Sequence, residues 1–346
     1  LLSTPIGHDC PGAVRFARPD AVDDALTAPG SVAWLTEQDV AQRLADLRKD
    51  STAWLGRDFT GQFSLAGAQA KTALLKQGRR WGAPSGAAAT SHILKPAVAG
   101  LDDYDLNEHI CLSAARSAGL VVARTSVARF DGESAIVVER YDRRFVDGRL
   151  MRVHQEDVCQ ALGVRPERKY QNEGGPGPRE VARLLRSVMP PQAADEAVLR
   201  FFDALAWNWL IAGTDAHAKN YSLLLAGRQV RLAPLYDIAS ALPYGTHERK
   251  LALAMKIGGD YRVQPVDNAW PRAARELGLD PETALDRVLD LARRVPDAFA
   301  DAANKPAVVK LDNPLPSRLV DLIAERAKRC IAILDSPKVQ IADATT

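Results

Sequence analysis

Residues 198–225, VLRFFDALAWNWLIAGTDAHAKNYSLLL, join one apolar run to another through a short polar segment. The first run, 198–212, has little polar face and predicts a helix buried on all sides. The second reads as a strand that turns back at Gly227 into VRLAPLYD. Between them Asp215, His217, Lys219 and Asn220 lie beside a core, where unsatisfied polar groups are costly. Such a chain has to build a substantial helical body with this loop held against it. The loop is either a turn satisfied by its own hydrogen bonds or a site.

The chain has 346 residues, enough for a large core and for two lobes or domains. Its 45 basic and 43 acidic residues nearly cancel, which gives no support to a whole-surface nucleic-acid binder. The local basic runs KQGRR (76–80) and RPERK (165–169) read as solvated faces. Cys10, Cys111, Cys159 and Cys330 show no ligand spacing and read as reduced, mostly buried thiols of a cytoplasmic protein. No run approaches the ~18 apolar residues of a membrane span, and no secretory pattern opens the chain. The chain begins LLSTPIGH without Met, and is expected to be a fragment whose native start lies upstream.

Thr36 with Asp39 opens a capped helix through TEQDVAQRLADLRKD. Three strand-like pieces follow at 61–67, 71–77 and 90–96, with a turn-rich, mobile link GAPSGAAA at 82–89. A helix is expected from Leu106 to Ala118, stopped by Gly119, and then a hairpin turning at Asp131-Gly132. Beyond about residue 143 the pattern becomes helical: QEDVCQALG, PREVARLLRSV after the loop 171–177, and 198–212. Two late helices complete it, Pro281–Arg294 capped by Asp280 and Ser317–Leu334. In the latter, Leu319, Val320, Ile323, Ala327, Cys330 and Leu334 form a core stripe. A strand-rich half with one marked helix thus precedes a helix-rich half, which suggests a ligand held between lobes.

Four stretches carry candidate chemistry. Asp215 and Asn220 are five apart and Asp237 follows seventeen later, the D-x-x-x-x-N…D order of phosphoryl-transfer sites. In that order the first Asp takes the acceptor's proton, and the Asn and later Asp hold Mg²⁺ with hard oxygens. His217 and Lys219 could offset charge on the moving phosphoryl group. The turn SLAGAQAK (64–71) offers small residues whose backbone N–H groups can approach phosphates, with Lys71 as a point charge, or is simply a hairpin turn. Lys95 in HILKP is an inward strand lysine suited to phosphates; Glu108 is either its ion-pair partner or a surface residue. In VVERYD, backbone groups of Glu139 and Tyr141 could bond an adenine edge, unless the segment is only a strand end. The order of phosphate turn, lysine strand, hinge, catalytic loop and metal aspartate points to a kinase.

Together FSLAGAQAKTALL, SHILKP, NEHIC, VVERYDRR, QEDVCQALG, GGPG, WLIAGTDAHAKNYSLLL and LYDIASALP resemble the HipA family of bacterial serine/threonine kinase toxins, from residue 1 to at least 260. The resemblance implies an α+β, two-lobed protein-kinase-like fold, with a β-rich N-lobe and a helical C-lobe. It implies a remnant of an N-terminal subdomain with a connecting helix at 1–55, an N-lobe at 56–143 and a C-lobe at 144–346. By resemblance Asp215 is the catalytic base, and His217, Ala218, Lys219 and Asn220 contact nucleotide, Asn220 also binding Mg²⁺. Tyr236 and Asp237 match the metal-binding pair, with Asp237 the ligand. Ala66, Gly67, Ala68, Gln69, Ala70 and Lys71 match the phosphate loop, Lys95 the phosphate lysine, and Glu139, Arg140 and Tyr141 the adenine hinge. Ser64 matches an autophosphorylated serine whose modification silences the enzyme, consistent with the repulsion a phosphoserine would exert on ATP.

The implied function is ATP- and Mg²⁺-dependent phosphorylation of a protein, an aminoacyl-tRNA synthetase such as glutamate–tRNA ligase, that stops translation. The implied partner is a HipB-like helix-turn-helix antitoxin, with DNA met mainly through it. The resemblance implies a further β-rich N-terminal subdomain, most of which is expected to lie outside this sequence; that puts antitoxin contacts in question, not the expected ATP site. The competing readings are an aminoglycoside-like small-molecule phosphotransferase and a non-catalytic antitoxin-binding co-repressor.

Overall fold

The structure, a computed structural model, describes residues 9–14, 30–49, 69–98, 100–245, 248–264 and 268–336. The strand expected at 61–67 lies outside the described residues, as does much of the 1–55 segment. The chain divides into two units: residues 1–109, 123–155 and 224–227 in the first, and 110–122, 156–223 and 228–346 in the second.

The first unit is built on a six-stranded sheet. Its strands are β1 (Ser31–Leu35), β2 (Thr72–Gln77), β3 (Arg80–Ser85), β4 (His92–Pro96), β5 (Thr125–Phe130) and β6 (Glu133–Glu139), ordered β1-β3-β2-β4-β6-β5. The neighbours are antiparallel, with Lys95 of β4 opposite Ile136 of β6. Two residues with positive φ, Asp131 and Gly132, make the expected turn between β5 and β6. Helix α1 (Glu37–Lys49) starts with a reciprocal cap: Asp39 N–H donates to Thr36 Oγ1 (3.1 Å) and Thr36 N–H to the Asp39 carboxylate (2.8 Å). Val40, Ala41 and Leu44 of α1 pack with Leu74, Leu94, Phe130, Ala135 and Val137 of the sheet to form the core.

The link at 82–89 differs from expectation, because its first half is strand. Arg80–Ser85 pairs with both β1 and β2, and Trp81 packs against the core. Gly, Ala and Pro are poor strand formers, but pairing on both sides outweighs that weak local preference. Helix α2 (Tyr104–Ser117) ends as expected at Gly119, which has positive φ. After β6 a further hairpin, β7 (Arg143–Val146) and β8 (Arg149–Arg152), also belongs to this unit.

The second unit is mainly helical. It contains α3 (Val158–Ala161), α4 (Pro178–Val188), α5 (Pro191–Leu210), α6 (Ala269–Glu276), α7 (Pro281–Ala303), α8 (Pro306–Val309) and α9 (Leu315–Leu334). From Phe201 onward α5 is buried at every position but Asp203, as its composition requires. Helix α7 begins on the expected Asp280 cap yet runs nine residues beyond Arg294, through Pro296. Proline removes one helical hydrogen bond; burial of Val295, Phe299 and Ala302 holds the helix past it. The stripe of α9 is buried at Leu319, Ile323, Ala327, Cys330 and Leu334, and Val320 sits at its edge. All four cysteines are free and buried. Among the described residues no helix is long and apolar enough to cross a membrane.

Candidate active site

In the second unit the polar loop is positioned by the end of α5. Ala212 turns the chain with φ of 54°, and Gly213 N–H donates to the Asn208 carbonyl at 2.7 Å. A side chain at 213 would begin 2.4 Å from Asn208 Oδ1, so any Cβ there would force the Asn208 amide to shift. The last carbonyls of α5, orphaned as at any helix end, are met by the fully buried Arg326 of α9. Its guanidinium donates to Trp209 O (2.6 Å) and Leu210 O (3.0 Å), to Val263 O (2.7 Å), and pairs with Glu248. Ser240 Oγ donates to Ile211 O at 2.6 Å. These bonds fix the point from which Thr214 and Asp215 leave the helix.

The loop then folds on itself. His217 N–H donates to Asp215 O (2.9 Å) and Asn220 N–H to His217 O (2.9 Å), closing a short turn over Ala218–Asn220. Asn220 Nδ2 donates to two carbonyls, Asp215 O (3.2 Å) and Asp237 O (3.3 Å). Asp215, Asn220 and Asp237 are thereby held together, and Asn220 presents Oδ1, an acceptor only, as the atom able to meet a cation. Asp237 is itself in the left-handed region, φ 58°, a conformation uncommon for a non-glycine residue. An amide oxygen and a carboxylate are hard donors, and Mg²⁺ bound by one or two protein groups completes its shell with phosphate and water. The residues present therefore fit that ion.

The other expected residues of the loop have defined partners. His217 is buried, and burial together with nearby Lys169 lowers its pKa against the pull of Asp215 and Asp237. Ala218 N–H donates to Lys169 O at 3.3 Å. Lys219 Nζ lies 3.3 Å from Asp157, the cap of α3, so its charge has a partner on the protein. Tyr236 braces the loop from behind, its hydroxyl 2.7 Å from Ser222 Oγ and donating to Lys219 O at 2.7 Å. Exposed Asp215 accepts a hydrogen bond from Tyr170 at 2.6 Å. Tyr170 escaped the sequence reading because it lies between the basic run and the loop at 171–177, and nothing local marks it.

In the first unit Lys95 Nζ is 2.7 Å from Glu108 Oε1, and both side chains are buried, at 8% and 1% exposure. This settles the alternatives for Glu108 in favour of the ion pair. Gln69 Nε2 donates to Pro96 O at 3.4 Å, and Lys71 is buried immediately before β2. Ser64, Ala66, Gly67 and Ala68 lie outside the described residues.

The segment expected as the adenine hinge is held by backbone and side-chain bonds. Glu139 N–H donates to Arg124 O (2.8 Å) and Arg140 N–H to Ser91 O (2.9 Å). The Arg140 guanidinium points into a buried network: it pairs with Asp142 (2.8 Å) and Asp9 (3.3 Å) and donates to Thr90 Oγ1 (2.8 Å) and Cys10 O (3.0 Å). Arg143 and Arg152 also pair with Asp9, at 2.8 and 2.9 Å. Burial favours the neutral forms of Asp9 and Asp142, but the arginines beside them win and hold both below the usual carboxylate range. Tyr141 lies between two members of this network.

Among relatives, the chain is 37% identical over 269 residues to Y4mE of Sinorhizobium fredii, provisionally named a kinase, covering 77% of this chain and 63% of that protein. It is 30% identical over 317 residues to the serine/threonine-protein kinase toxin HipA of Shewanella oneidensis, covering 86% and 69%. The chain thus spans somewhat under two thirds of the first relative. Among solved structures it superposes on a chain of the Shewanella oneidensis HipA–HipB–operator DNA complex with TM-score 0.78 at 24% identity, covering 95% of this chain and 78% of that one. The Helicobacter pylori proinflammatory kinase CtkA gives TM-score 0.52 at 12% identity, covering 78% and 94%. Both likenesses assign the α+β kinase-like fold. The HipA-like C-terminal domain matches residues 63–299, more than half of the sequence, and the chain belongs to that family.

Proposed function

We propose that this chain is an ATP- and Mg²⁺-dependent protein serine/threonine kinase that acts as a cytoplasmic toxin. The observation that carries the reading is the double hydrogen bond from Asn220, which joins Asp215 and Asp237 into one cluster with an amide oxygen to spare. Phosphoryl transfer asks for little covalent chemistry from a protein; it asks for positioning and charge stabilisation. Asp215 accepts the proton of the attacking hydroxyl. Asn220 and Asp237 hold the ion, which when bound offsets the charge of the phosphates. His217, Ala218 and Lys219 shape the nucleotide's place on the loop, and Tyr236 keeps that loop in position. Lys95, oriented by Glu108, faces the phosphates together with Gln69, Ala70 and Lys71, and with Ala66, Gly67 and Ala68. Glu139 and Tyr141 offer backbone groups to the adenine.

Autophosphorylation on Ser64 limits the activity, a HipB-like antitoxin neutralises it, and the target is an aminoacyl-tRNA synthetase whose loss stops translation. The Shewanella HipA was solved together with HipB and operator DNA, which supports the antitoxin and an indirect route to DNA. Substituting Asp237→Ala is expected to abolish Mg²⁺-dependent ATP binding, measured by calorimetry with and without the ion. Equal affinity in the variant and the parent would remove Asp237 from the metal site.

A further inference from the structure

Tyr170 has no part in the roles above, and the geometry around it assigns one. Its phenol oxygen lies 2.6 Å from Asp215 Oδ1, reached from 45 residues upstream. The ring is fixed on two sides: it meets the His217 ring edge to face, centroids 5.1 Å apart at 75°, and Lys169 Nζ lies 4.9 Å from its centroid. The backbone beneath is tied down as well. Tyr170 O accepts Gly175 N–H (2.9 Å) and Glu173 N–H (3.1 Å). A side chain at Gly175 would begin 2.2 Å from Arg168 O, so the segment is closed tightly on itself. Lys169 O accepts from Ala218 in the loop, and the next side chain, Gln171, accepts Lys256 N–H at 2.7 Å. Tyr170 is therefore a donor on a rigid mount, aimed at one oxygen of an otherwise exposed carboxylate.

Carboxylate torsions are broad and roughly two-fold, so an unrestrained Asp215 would sample many orientations. A donor fixed on Oδ1 selects among them and leaves Oδ2, which has no hydrogen-bond partner among the described residues, as the oxygen for an incoming hydroxyl. Burial, and then the bond to Asp215, push the Tyr170 phenol up, so it stays a donor throughout the working pH range. We infer that Tyr170 is a positioning residue for the proton-accepting carboxylate of Asp215, an inference that rests on the kinase reading above. It acts through Asp215.

The test compares the parent chain, Tyr170→Phe, and a variant with 4-aminophenylalanine at 170, which restores a donor in nearly the same place. Transfer from γ-labelled MgATP to the chain itself and to water is followed, and nucleotide affinity is measured separately by calorimetry. Losing a hydrogen bond to a charged group predicts a roughly tenfold to hundredfold fall in the transfer rate for Tyr170→Phe. Nucleotide affinity and melting temperature should not change, and the 4-amino variant should recover most of the rate. Parent-like or faster transfer by Tyr170→Phe would overturn the role alone, and so would a loss that appears equally in nucleotide affinity. Absence of transfer in the parent would remove the kinase reading and this role with it.

Discussion

Replacing Asp215 by Asn is expected to lower phosphoryl transfer by roughly 10²–10⁴-fold, the usual contribution of a positioned general base. The variant separates chemistry from folding because Asp215 is exposed and does not support the core. Its backbone carbonyl keeps the bonds to His217 and Asn220, and an asparagine oxygen can still accept from Tyr170. The negative charge and with it the ability to take a proton are lost. Nucleotide affinity and melting temperature should therefore match the parent while the initial rate collapses. A rate within tenfold of the parent would show that another group, or solvent, accepts the proton.

Replacing Arg140 by Met is expected to produce the largest loss of stability, about 3–5 kcal/mol in urea unfolding, the usual cost of removing one partner from a buried ion pair. Asp9 and Asp142 are both buried, and Arg140 donates to each. Without it the two carboxylates share Arg143, with Arg152 reaching Asp9 alone. Arg143 is a poor compensator, since burial disfavours its charged form. The segment after β6 depends on this network, so weaker nucleotide binding should accompany the loss. A change under about 1 kcal/mol would mean that Arg143 and Arg152 suffice and that the network tolerates a missing cation.

Features set by neighbours in the chain were legible in the sequence. The apolar helix before the loop, the Asp131-Gly132 turn, the Thr36 and Asp280 caps and the D-x-x-x-x-N spacing all lie within a few residues of their cause. Features set by distant partners were not. Asp9 and Arg140 are 131 apart, Arg326 reaches Trp209 over 117 residues, and Tyr170 meets Asp215 over 45. A charged residue at such a position looks like any surface charge until the fold gives it a partner. The sequence therefore shows neither the buried ion pairs of the Arg140 side chain nor the role of Arg326 within the apolar stripe of α9. Strand β3 and the course of α7 past Pro296 were missed for a related reason: sheet pairing and core burial overrode weak local preferences.

The most direct measurement is incubation of the purified chain with γ-labelled ATP, with Mg²⁺ or with a chelator in its place, followed by mapping of the labelled peptide. The account predicts label on the peptide containing Ser64 in the presence of the ion and none with the chelator. An unlabelled chain that also fails to label any protein of a cell extract would contradict it.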